Sequence, residues 1–391
     1  AAAATLYQTN GTLNVGSGGI ALSNLTQAAG NITTTGDIDT SILSGTGGNI
    51  SLGAGTTLNV TQSTSSTYAG KIAGAGSLLK AGTGSLTLTG VSTFTGGTNI
   101  TAGTLIAGNS NPSSSLADTG SVNVESGATY QLGGSETIGT LTGSGSVVLG
   151  SHTLTAYNGA SSGTFGGVIS GSGHFAVATN ASATLTGNST YTGETVLYGN
   201  ATLTLGTGGT SGNVGGSSRV SFRDGSVLRF NRSDNLNFTA DLNDQGGTQS
   251  VIKDGAGILT LSSTSSGNSF DGTITVNAGT LNVTGGVLGA SNTVRIQNND
   301  ATVIYNTSAT QNLSVLNGTG VFQKLGSGTL QLATSSGFTG ETTVSGGVLD
   351  LRNSVIGGNI TNNADVWFNS WVGSPTYSKI ISGTGNVTIQ S

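Results

Sequence analysis

Apolar residues recur at every second position in short runs along the whole chain. In "GTGSLTLTG" (82–90), Leu86 and Leu88 fall on one face and Ser85, Thr87 and Thr89 on the other. This is the alternation of a half-buried strand. Thr98 and Ile100 share a face in the next run, and Leu105 and Ala107 in the one after it. β-Branched Thr and Val suit strands, and Gly punctuates the runs as turns. No stretch keeps a 3.6-residue stripe, so the pattern predicts strands and turns without a long helix.

The runs are organised in repeats. Four segments, 74–108, 171–206, 246–285 and 318–353, follow one grammar: G-x-G, an apolar pair, G-x-G-x-L-x-L, an aromatic followed by T-G or D-G, T-x-V/I, then G-x-L-x-L. A fifth copy begins at "GTGNVTIQS" (383–391), and the frames "VLRFNRSDNLNF", "TVIYNTSATQNL" and "DVWFNSWVGSPTY" precede later copies. Each copy supplies about three short strands with one apolar face, which cannot bury that face alone. Stacking copies as a solenoid solves this. The predicted fold is all-β, a right-handed parallel β-helix (β-solenoid) of three-strand coils, at roughly 20–25 residues per coil. Inward Leu, Val, Ile and Phe form its core, and outward Thr, Ser and Asn form polar ladders. Repeat starts at 74, 171, 246 and 318 are spaced 97, 75 and 72 apart. That irregularity suits a solenoid better than the closed ring of a propeller. Residues 1–54 are expected as N-terminal coils or a cap, and 55–391 as the repeat-bearing β-helix.

Composition sharpens this picture. Among 391 residues there are 68 Gly and 2 Pro, only 7% are charged, and the net charge is −5. Disorder normally accompanies high net charge, which is missing here. With no Cys and no Met, disulfides and thiol-based metal or redox chemistry are excluded. No apolar run is long enough for a membrane-spanning helix, and the acidic balance argues against nucleic acid as partner. The opening "AAAATLYQ" reads as a mature end left after cleavage at small residues.

The unit G-x-G-x-L-x-L … [YF]-T-G-x-T-x-V … G-x-L-x-L resembles the passenger-associated repeat of bacterial type V autotransporters, the group that includes AIDA-type adhesins. "LRFNRSDNLNF" with "KDGAGILTLS" is similar to that family too. The resemblance covers roughly residues 55–391, and 1–54 more weakly. It implies export across the outer membrane of a Gram-negative bacterium through a C-terminal β-barrel. No barrel-like strands occur near Ser391, so the chain is expected to be a passenger truncated within a repeat. Adhesins, aggregation factors, toxins and proteases share this architecture.

Chemistry-bearing residues are sparse. His152 and His174 are the only histidines, no G-D-S-G occurs, the lone G-x-S-x-G match (Gly159 to Gly163) lacks the following helix that a nucleophile elbow needs, and both histidines are expected in loops or facing outward. No RTX, EF-hand or phosphate-loop pattern occurs. No catalytic, cofactor or metal site is therefore predicted. The candidate contact residues are Arg219, Arg223, Arg229 and Arg232, in the most charged stretch, "RVSFRDGSVLRFNRSDNLNFTADLND"; Asp37 and Asp39 in "GDIDT"; and Trp367 and Trp371 in "DVWFNSWVG". Matching Val366 and Phe368 to inward residues of the other frames turns Trp367 outward.

These features predict a surface-displayed adhesin. It would bind copies of itself on neighbouring cells, or a host protein or glycan, through many weak polar contacts made strong by repetition. A glycan-cleaving β-helix, a protease or esterase passenger and a toxin subunit are the alternatives. Residues 1–218 carry two bases (Lys71, Lys80) and six acids, and four Arg follow between 219 and 232. A copy could then pair antiparallel, acidic part against Arg cluster.

Overall fold

The computed structural model describes residues 4–108, 115–157, 163–246, 248–263, 269–284, 295–333, 336–352, 354–369 and 377–390. Among these every regular element is a β-strand, and no helix is long and apolar enough to cross a membrane. The chain divides into two compact units, Ala1–Val196 and Leu197–Ser391. Each is a parallel β-solenoid.

In the first unit the strands Thr57–Val60, Ser77–Lys80, Thr98–Ile100, Val122–Val124 and Leu141–Gly143 pair in parallel, each with the next coil. Hydrogen bonds between coils join residues from 18 to 26 apart, in line with the expected coil length. The number of strands per coil varies. The first coil carries two, Ala4–Gln8 and Thr12–Val15, whereas the coil from Val122 carries three, Val122–Val124, Thr129–Leu132 and Glu136–Ile138. In the second unit, Thr202–Leu205, Val227–Phe230, Ser250–Lys253, Thr273–Val276, Arg295–Asn298 and Val315–Gly318 stack the same way.

The alternation read from the sequence sets the faces. Leu86, Leu88, Ile100, Leu105 and Ala107 are buried, and so are Leu228, Phe230, Val303, Tyr305 and Val366 of the frames. One inward column of the second unit runs Leu203, Leu228, Val251, Ile274, Ile296, Leu316 in direct register. Each such side chain contributes roughly 1.5–3 kcal/mol by leaving water.

The repeat grammar resolves into two stacked coils. In the first copy, Ser77–Lys80 lies on Thr98–Ile100, and Ser85–Leu88 on Thr104–Ala107, so Leu86 stacks on Leu105. The aromatics before T-G or D-G, Phe94, Tyr191, Phe270 and Phe338, are all buried corners. Phe338 meets Phe322 edge-on, with ring centroids 6.3 Å apart. The glycine after this corner is required by close approach. A Cβ on Gly340 would lie 1.8 Å from the carbonyl oxygen of Gly320.

One feature of the core departs from the sequence reading. The inward column is not wholly apolar: Gln8, Gln27, Lys80, Lys253, Asn298, Lys324 and Asn362 are buried at strand ends. Each donates across to a backbone carbonyl of the following coil. Gln8 reaches Asn31 at 2.9 Å and Gln27 reaches Asn49 at 3.3 Å. Lys80, Lys253 and Lys324 reach Ala102, Ala278 and Gly346 at 3.1, 3.1 and 3.0 Å. Asn298 and Asn362 reach Val321 and Asn386 at 3.0 and 2.8 Å. At these corners the chain turns away from its ladder, and an interior donor satisfies carbonyls that the sheet leaves open.

The three lysines occupy one slot of the repeat, K-x-G-x-G, at 80–84, 253–257 and 324–328. Each also caps its own turn, at the carbonyls of Gly82, Gly255 and Gly326. Gly82 takes a positive φ of 73° there. Burial draws the Lys80 ammonium down to about 8 and lowers Lys253 and Lys324 as well. The second copy has Val177 in this slot, and its turn closes on itself instead, Ala181 N–H to Ala178 O at 3.0 Å. Lys80 is thus interior, not one of the surface charges counted for pairing between copies.

Candidate functional site

The outer faces carry the polar ladders that the composition anticipates. In the first unit one outward row passes through Asp39, Asn59, Leu79, Asn99, Asn123 and Thr142 in direct register. Its side chains bond along the stack: Asn59 Nδ2 to Asp39 Oδ1 at 3.1 Å, Asn123 Nδ2 to Asn99 Oδ1 at 2.8 Å, and Thr142 Oγ1 to Asn123 Oδ1 at 3.1 Å. Asp37 accepts the Thr57 N–H at 2.7 Å. Asp37 and Asp39 therefore join consecutive coils, each serving as an acceptor for the coil that follows.

In the second unit a comparable line crosses four coils. Arg229 pairs with Asp254. Asn277 donates to Asp254 at 2.7 Å, and Asn299 to Asn277 at 2.9 Å. Such fixed rows hold their donors and acceptors at the strand spacing of about 4.8 Å.

The four arginines separate by role. Arg232 is 7% exposed and grips Asp234 with two nitrogens, at 2.9 and 2.8 Å. Its other bonds go to the carbonyls of Gly212 and Thr210 at 2.8 and 2.7 Å, which pins that loop. Asp234 is held below the usual carboxylate range by the Arg232 hydrogen bond. Arg229 is committed to Asp254. Arg219 opens the strand Arg219–Phe222 and Arg223 follows its end, and both are exposed. Arg223 donates to the neutral amide oxygen of Gln245.

Near them Asp244 faces Asp271. Asp244 Oδ1 accepts the Gly246 N–H at 2.7 Å, while no N–H or O–H donor among the described residues reaches Oδ2. Burial, and then Asp271, push Asp244 up to about 6.

The first unit holds one buried acid, Glu136, at 2% exposure. It accepts the N–H groups of Ser115 and Leu116 at 2.6 and 3.2 Å. Burial pushes it up to about 7 against the pull of these bonds. Sequence reading passed over it, since a lone Glu in a strand pattern carries no signal. His174 is exposed, and its Nδ1 accepts the Glu194 N–H at 2.9 Å. His152 is half-buried on the coil beneath, its carbonyl taking the His174 N–H at 3.0 Å. Trp367 is half-buried, in register between Asp350, which is fully buried, and Thr388. Trp371 lies outside the described residues.

The passenger-associated-transport-repeat model matches residues 78–107, 182–199, 251–283 and 322–351, one match inside each repeat read from the sequence. With the solenoid that these repeats build, the matches support a passenger domain of a type V autotransporter, a class exported across the outer membrane to the cell surface. Over 299 residues it is 31% identical to a protein named adhesin BmaC autotransporter, from Brucella suis biovar 1 (strain 1330). The match covers 60% of this chain and 9% of that adhesin. No solved structure matches the chain.

Proposed function

We propose that this passenger is an adhesin that works by contact, through rows of weak polar interactions repeated along its coils. The observation that carries the reading is the stacked outward row from Asp39 to Thr142, in which Asp39 bonds Asn59 and, beyond Leu79, Asn99, Asn123 and Thr142 bond one another from coil to coil. Ordering these groups in advance lowers the entropy lost when they meet a partner. Each exchanged hydrogen bond contributes little, and avidity over many molecules on a cell multiplies it. The adhesin named among its relatives supports the same class. Copies of the chain on neighbouring cells, and host surface proteins or glycans, are the partners this surface suits.

Cells displaying the chain test this directly. Settling that the purified chain inhibits supports self-association, and attachment to host cells without settling supports a heterologous partner. Neither settling nor attachment would sink the adhesin reading. Replacing His152 and His174 together by Ala leaves attachment unchanged if contact alone is the activity. A second reading, cleavage of a glycan, would need two carboxyls on one face, and Asp244 and Asp271 lie close to one another. Release of reducing ends from a polysaccharide panel, lost in Asp271→Asn, would establish that reading instead.

A further inference from the structure

An exposed tyrosine, an exposed arginine and a glutamine from three successive coils meet on one face of the second unit, with a second exposed arginine nearby. Arg223 N–H bonds the carbonyl of Leu197 at 2.9 Å, which sets Arg223 beside Tyr198 on the adjacent coil. Phe222 pairs with Asp244, so Gln245 follows beside Arg223, and the guanidinium donates to the Gln245 amide oxygen. Tyr198 is 41% exposed. The row Tyr198, Arg223, Gln245 thus crosses three coils, about 10 Å at the strand spacing. Arg219 lies on the same face four residues earlier, about 13 Å away along the strand, in register with Asp241. Asp241 is already an acceptor for Ser263 Oγ.

We propose that this patch binds a carboxylate-bearing glycan, one with uronate or sialate residues. The inference rests on the adhesin reading and names a ligand class for it. Among the described residues neither Arg219 nor Arg223 has a carboxylate within ion-pair distance, unlike Arg229 and Arg232. A planar guanidinium left with a neutral partner is suited to receive a carboxylate through two parallel hydrogen bonds. The Tyr198 ring adds an apolar face for the C–H side of a sugar and a hydroxyl at its rim. Gln245 presents an amide that both donates to and accepts from hydroxyls. A densely charged polyanion fits less well, because the chain as a whole carries −5 and repels it. A sparsely charged glycan meets less of that repulsion, and Arg223, bonded to a neutral amide, offers its carboxylate a guanidinium.

The test is titration of the whole chain with 3′-sialyllactose and with a hexamer of galacturonate. Lactose and the methyl-esterified hexamer serve as neutral counterparts. At least one acidic sugar should bind tenfold or more tightly than its neutral counterpart, and weaken as salt rises. Tyr198→Ala and Arg223→Gln should each reduce that affinity about tenfold with circular dichroism unchanged. Tyr198→Phe, which keeps the ring, should retain most of it, and Lys379→Gln, at an exposed site elsewhere, should retain all of it. Equal affinity for acidic and neutral sugars, or parental affinity in Arg223→Gln, overturns the proposal. So does a preference for single-stranded DNA or for a peptide over every acidic sugar. Displayed cells that adhere while no acidic sugar binds overturn this site and leave the adhesin reading standing. Sugar binding by a chain whose displayed form adheres to nothing supports the site and refutes the adhesin reading.

Discussion

Replacing Lys80 by Met keeps a long, flexible side chain in the core and removes only the ammonium. Three carbonyl acceptors lose their donor, those of Ala81, Gly82 and Ala102, bonded at 2.9, 2.9 and 3.1 Å. A buried acceptor stripped of its donor costs about 1–3 kcal/mol, so the three together set a ceiling of roughly 9 kcal/mol. Two effects reduce it. Each carbonyl keeps a second lone pair for other partners. The buried cation also carries a desolvation cost, visible in the drop of Lys80 to about 8, and Met removes that cost. The expected net loss is about 2–4 kcal/mol. At about 2–4 °C per kcal/mol for a unit of this size, melting falls by roughly 4–16 °C. Solenoid stability is held in nearest-neighbour contacts, so the damage stays local. The Thr101 and Thr104 amides, which bond Lys80 and Gly84 across the stapled turn, should exchange with solvent at least tenfold faster. The Ile50 amide, two coils away, should not change. Lys71→Met, at an exposed position, is the reference and should stay within about 0.5 kcal/mol of the parent. If Lys80→Met melts with the parent and Thr101 and Thr104 exchange at the parental rate, the staple contributes nothing and the reasoning fails.

Two further outcomes follow from burial. Leu86→Asp and Leu330→Asp place a carboxylate where the structure has fully buried side chains and should cost several kcal/mol, while Thr87→Asp on the outer face, between Thr67 and Ile106, should cost within about 0.5 kcal/mol; equal thermal shifts at both kinds of position would refute the face assignment. Glu136 is raised from 4.5 to about 7 in the folded chain, so the folded state holds its proton more tightly than the unfolded state, and stability contributed by this group falls as pH rises from about 4.5 to 7. In denaturant titrations, parental stability should fall more steeply with pH over that window than the stability of Glu136→Gln, and identical slopes would show that Glu136 does not titrate there.

The sequence by itself determined the class of fold and the inward face of most strands. Alternation is a local property: Leu86 and Leu88 share a face because successive residues of any strand point opposite ways. A recurring apolar face that no single copy can bury leads to stacking without knowledge of distant contacts. The same rule failed at Lys80, Lys253 and Lys324. Period-two reading places a residue inward or outward but assigns polarity to the outside, and these lysines take inward positions because stacked turns leave carbonyls open there. A signal was available, since three of five lysines share the slot K-x-G-x-G. For the outer surface no such signal existed. Four arginines between 219 and 232 look alike as a cluster, yet Arg232 is buried in a loop, Arg229 is paired to the next coil, and only Arg219 and Arg223 stand exposed without an ion pair among the described residues. Which residue lies beside Arg223 depends on how many residues each coil takes to return. That number varies with turn length, so the meeting of Tyr198, Arg223 and Gln245 was decided by the tertiary structure alone.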